Sequence, residues 1–140
     1  MVPRKVNLNG YIQKLLPMLL IWGVMIHEYG HLIALRLLGA EGVIRSTGLN
    51  LTWRTTTLTG MGLTVFYLAG GFLQGVYGLY HMIHESDNET WLSGFTVMIQ
   101  GWTYMWFEVA RLFDLGAIIS ITVTALSIIL LCVFEVIRFE

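Results

Sequence analysis

The sequence predicts an all-α polytopic membrane protein of about four transmembrane helices, with a small β-hairpin between the first and second. Three observations carry this expectation. The 140-residue chain is 56% hydrophobic and 12% charged, whereas soluble domains are about a quarter charged, so lipid suits its surface better than water. Apolar stretches recur along it, each near the roughly 20 residues that a helix needs to cross hydrocarbon. One polar stretch with a different period interrupts them. The whole reads as a single membrane domain, multi-pass, over residues 1–140.

The first helix is expected over about residues 11–39, with Pro17 in its first turns, where proline either starts or kinks a helix. Residues 39–60 are too polar to span. Leu49, Leu51 and Trp53 alternate with Asn50, Thr52 and Arg54, a period of two that predicts a strand. Val43 and Ile44 form its expected partner, giving a β-hairpin over about 42–58. The second helix is expected over about 61–84, the third over about 91–113 and the fourth over about 115–138. The short joins at Glu85–Thr90 and at Asp114-Leu115-Gly116 make consecutive helices antiparallel neighbours. Gly71, Gly75 and Gly78, with Gly94 and Gly101, mark helix faces, because small residues let helices approach closely in lipid.

Charge and cysteine narrow the function. The net charge is -1 without a basic run, which argues against nucleic-acid binding. The single Cys132 excludes an internal disulfide and a cysteine-based metal site. Lys and Arg divide evenly between the two sides of the expected topology, so they set no orientation. No leader peptide is expected, since the first apolar stretch contains His27, Glu28 and His31.

Those three residues carry the chemistry. In His27-Glu28-Tyr29-Gly30-His31 the imidazoles are four apart, share a helix face and can reach one metal ion. Glu28, about 100° further round the helix, can take a proton from metal-activated water. Shuffling this composition produces the pattern in about one chain in two hundred. Ionisable groups at mid-membrane cost roughly 2.5–3.5 kcal/mol each on insertion scales, so a packing role explains them poorly. The expected cofactor is Zn²⁺. A catalytic zinc takes three protein ligands and leaves a position open. Glu108 and Asp114 are the candidates for the third, and depth along the helices favours Glu108. His81 and His84, followed by Glu85, form a second polar cluster suited to the interface or to a second metal or haem.

The segment His27 to Leu32, with Ala34, Arg36 and Leu37-Leu38-Gly39, resembles the site-2 protease family of intramembrane zinc metalloproteases. Leu68-Ala69-Gly70-Gly71-Phe72-Leu73-Gln74 is similar to the family's Ala-Gly-Pro-x-x-Asn, with Gly71 for Pro and Gln74 for Asn. The resemblance implies a β-region after the first helix, with an exposed strand, here the one carrying Trp53, pairing an unwound substrate. It implies substrate contact at Gln74 and Asp114 as third ligand, although Trp106 and Val109 replace the Asn and Pro that precede the family's Asp. The expected function is intramembrane endopeptidase action on membrane-embedded peptides. The alternatives are a catalytically degenerate accessory subunit of a larger membrane complex, partnered by other membrane subunits, and a haem or copper redox subunit.

Overall fold

The computed structural model describes residues 6–47, 50–55, 58–84 and 87–115, with 118, 119, 121, 122, 125, 126 and 129 beyond them. Glu85, Gly116, Cys132 and most of the expected fourth helix lie outside the described residues.

Asn7 caps the first helix by accepting from the Asn9 amide at 3.1 Å. Helix α1, Leu8–Pro17, runs through a π-helical stretch, Met18–Gly23, into α2, Val24–Leu37. The wide turns follow Pro17, which has no amide hydrogen for the helical ladder. α2 stops in a Schellman turn. Gly39 takes φ 65°, and the Ala40 amide reaches back to the Leu35 carbonyl at 2.9 Å. β1, Gly42–Thr47, and β2, Asn50–Thr55, then pair antiparallel with Gly42 opposite Thr55. α3, Met61–His84, and α4, Asn88–Leu112, complete the described elements.

The packed body is built from helices alone, chiefly α3 on α4, α2 on α3 and α1 on α4. Glycines set the α3–α4 separation. A Cβ on Gly71 would overlap the Gly101 carbonyl, and one on Gly78 would overlap the Met98 amide. At the other end Lys14 pairs with Asp87, Tyr11 Oη lies 2.9 Å from Thr96 Oγ1, and the Asn7 amide donates to Glu89 at 3.0 Å.

The expected count of about four transmembrane helices is corrected. Among the described residues two helices, Leu8–Leu37 and Met61–His84, are long and apolar enough to cross a membrane. α4 has the length but carries Ser93, Thr96, Gln100, Thr103 and Glu108 along it, and these lower its hydropathy. Ser93 is fully buried, and Thr96, Gln100 and Glu108 are partly so. Conversely Leu20, Ile21, Trp22, Phe72, Tyr80 and Ile83 are each more than half exposed. Leu35, Phe66, Phe95 and Val97 are buried beside Ser93, so the interior mixes apolar and polar side chains while large apolar ones also line the outside.

Candidate metal centre

His27 and His31 sit one turn apart on the face of α2 that packs on α3 and meets the Tyr104 and Glu108 side chains of α4, 8% and 1% exposed. Two glycines allow that packing. A Cβ on Gly30 would run into the Ala69 carbonyl, and one on Gly70 would overlap the His31 ring and approach His27 Nε2 to 2.8 Å. The imidazoles therefore lie directly over the α3 backbone.

Each ring is held by its Nδ1 side. His31 Nδ1 donates to the Phe66 carbonyl at 2.8 Å. A carbonyl can only accept, so the proton of neutral His31 is on Nδ1 and its Nε2 offers a lone pair. His27 Nδ1 lies 3.1 Å from Gln74 Oε1. The two Nε2 atoms are 3.1 Å apart. Glu108 Oε1 is 3.3 Å from His27 Nε2, and Glu108 Oε2 is 3.5 Å from His31 Nε2.

These spacings suit a metal. Donor atoms around a tetrahedral zinc, each about 2.0–2.1 Å from it, are separated by about 3.3 Å. Glu108 Oε2 is buried with no hydrogen-bond partner among the described residues, a costly arrangement unless a cation completes it. His27, His31 and Glu108 thus form a cluster that can hold a metal ion, with ligand atoms all within 4.8 Å of one another.

Other expected residues take different places. Asp114 lies past the end of α4, exposed, at φ 60°, where the Leu115 amide reaches back to the Ala110 carbonyl at 3.0 Å. It is the left-handed residue that ends the helix, and the structure does not bring it to the histidines. Gln74 is turned to His27 rather than outward, and is 3% exposed. Glu28 is partly buried and within electrostatic reach of His31. Trp53 lies in β2 opposite Ile44, with its side chain outside the described residues. His81 packs edge-on to Tyr77 at 4.7 Å, and His84 stacks on Tyr80 at 4.3 Å.

Two neighbours of the site are not evident from any motif. Gln100 accepts from Gln74 Nε2 at 3.0 Å, and the Tyr104 ring meets His27 edge-on at 5.8 Å. Their one signal in the sequence is the four-residue spacing of Gln100, Tyr104 and Glu108, which puts all three on one face of α4. On the outer side of Gly30 an apolar cavity of about 300 Å³ opens between Ala34, Leu37, Val65 and Phe72.

Comparison with protein-family models, with curated proteins and with solved structures finds no match to this chain.

Proposed function

We propose that the chain is an integral, multi-pass membrane zinc metallopeptidase acting on membrane-embedded peptides. The observation that carries this reading is the convergence of His27, His31 and Glu108, with Glu28 next to His27 in the chain and within electrostatic reach of His31. Two histidines and a glutamate are a ligand set of catalytic zinc in peptidases. The reading keeps the resemblance to site-2 proteases at His27 to His31 and departs from it in taking Glu108, not Asp114, as third ligand.

His27 and His31 hold the ion from one helix and Glu108 from another, so the site forms only when α2 and α4 are docked. A zinc ion held there supplies Lewis-acid activation of water and of the scissile carbonyl. Glu28 accepts the proton released as water attacks and delivers it to the leaving amine. The apolar outer surface supports lipid as the solvent of the whole. An accessory-subunit role predicts the same burial and no peptide hydrolysis.

The test is metal content and peptide hydrolysis in detergent-purified protein. Wild type is expected to carry about one zinc per chain. Glu28→Gln should keep the zinc and lose at least about 100-fold in hydrolysis of a transmembrane peptide, the scale of general-base catalysis. Equal activity in wild type and Glu28→Gln would sink the peptidase reading. A folded wild type without metal would sink the centre itself.

A further inference from the structure

Gln74 is the least conspicuous member of the cluster. It lies in the middle of α3, 3% exposed, where an amide lacking partners is strongly disfavoured. Both of its ends are engaged. Nε2 donates to Gln100 Oε1 at 3.0 Å, and Oε1 lies 3.1 Å from His27 Nδ1. Gly23 leaves room for it, since a Cβ there would sit 3.3 Å from Gln74 Nε2.

An amide has one donating end and one accepting end. With Nε2 committed to Gln100, the end facing His27 is an acceptor. His27 must then donate from Nδ1, and a neutral imidazole protonated there carries its lone pair on Nε2. Nε2 is the atom turned toward His31 and Glu108. His31 receives the same instruction from a backbone carbonyl, that of Phe66, which no side-chain change removes. His27 receives it from side chains alone.

We infer that Gln100 and Gln74 form an amide relay, running from α4 through α3 to α2, that holds His27 in its metal-binding tautomer and thereby sets the affinity of the centre. The inference rests on the metal-centre reading above and assigns positioning residues to it. Gln74 is thus a support for a ligand, in contrast to the substrate contact that the resemblance implies. The relay adds no charge to a site that already contains Glu28 and Glu108. A carboxylate behind His27 would orient the ring equally well but would bring a third negative charge into the bundle.

The test is zinc(II) affinity of the full chain in detergent, by competition with a chromophoric chelator, together with nitrogen NMR of the His27 ring in metal-free protein. Gln74→Leu should weaken zinc binding by about 10–100-fold, the usual effect of removing a partner behind a ligand. Gln74→Glu, an acceptor in either rotamer, should bind at least as tightly as wild type. Gln100→Leu frees the Gln74 amide to turn and should fall between. The NMR spectrum should place the wild-type proton on Nδ1 and shift it toward Nε2 in Gln100→Leu. If Gln74→Leu folds poorly, the wild-type spectrum and the other two variants still decide. Wild-type affinity in Gln74→Leu, or a wild-type proton on Nε2, would overturn the relay. A wild type that binds no zinc would overturn the metal centre instead, and the spectrum would then decide the relay by itself.

Discussion

The chain holds two pairs of histidines, and they end up in opposite circumstances. His27 and His31, four apart near the middle of a long helix, are buried, with their Nε2 atoms converging on a carboxylate. His81 and His84, three apart in the last turn of α3, pack on tyrosines, and His84 Nδ1 donates to the Tyr80 carbonyl at 3.0 Å. Both spacings put two rings on one helix face. What separates the pairs is the neighbour. α2 packs on α3, where glycines at 30 and 70 let the backbones close under the rings, and α4 brings the Glu108 side chain across to them. Histidine spacing supplies a chance of a metal site, and a converging third donor with room between helices makes one.

The largest effect should come from breaking the first pair. His31→Ala is expected to abolish zinc binding, while His84→Ala leaves the zinc content of purified protein unchanged. If the two variants lose metal alike, the contrast between the pairs is wrong. The next test separates the two carboxylates. Glu108→Gln keeps the shape of the side chain and removes the charged donor, so zinc affinity should fall at least about 100-fold, beyond the usual loss for a supporting partner. Asp114→Gly should bind zinc as wild type does and be slightly more stable, because glycine adopts the left-handed angles of that position without a Cβ penalty. Loss of zinc in Asp114→Gly, with Glu108→Gln unaffected, would restore Asp114 as the ligand.

Glycine substitutions sharpen the comparison further. Gly70→Ala places a methyl against both imidazoles, so it should displace them, weaken zinc binding and cost about 1–3 kcal/mol in stability, as overpacking usually does. Gly94→Ala crowds the α3–α4 seam near Gly78 and His81 instead. It should lower the melting temperature comparably and leave zinc affinity unchanged. Parallel loss of zinc in both variants would mean that helix packing as a whole, and not the space over Gly70, controls the centre.

Much of this site is legible as spacing. A helix of 3.6 residues per turn puts His27 and His31 on one face from their sequence separation alone. Rise per residue places Glu108 closer in depth to the histidines than Asp114, and glycine spacing marks the close faces of α3 and α4. The family likeness points to Asp114 because an Asp-Leu-Gly sequence imitates a motif, whereas in this chain that Asp terminates a helix. Its role depends on backbone angles that composition does not encode. The Gln74–Gln100 contact is hidden for a different reason. It joins two helices, and its existence depends on how each is rotated about its axis. Segment length by itself overcounts the spans, because it ignores the inward polar face of α4, which carries Thr96, Gln100 and Glu108.

The smallest expected effect lies at the far end of the bundle from the metal, where an ion pair is exposed rather than enclosed. Asp87 caps α4, accepting from the Thr90 amide at 2.9 Å and from the Thr90 hydroxyl at 2.7 Å, and it pairs with Lys14 of α1. Lys14 and these bonds hold its carboxyl well below the usual carboxylate range. A carboxyl with a depressed folded-state pKa stabilises the fold fully above its unfolded value, about 3.9, and that contribution is lost as pH falls below it. Both side chains are 41% exposed, so solvent screening limits the pair, and the loss of cap and pair together should be about 1 kcal/mol. Thermal unfolding in detergent should therefore show a lower melting temperature at pH 3 than at pH 6, with Asp87→Asn reducing the difference. An equal pH response in wild type and Asp87→Asn would move the acid sensitivity to carboxylates elsewhere in the chain, Glu108 first among them, and would make metal content the quantity to follow across the same pH range.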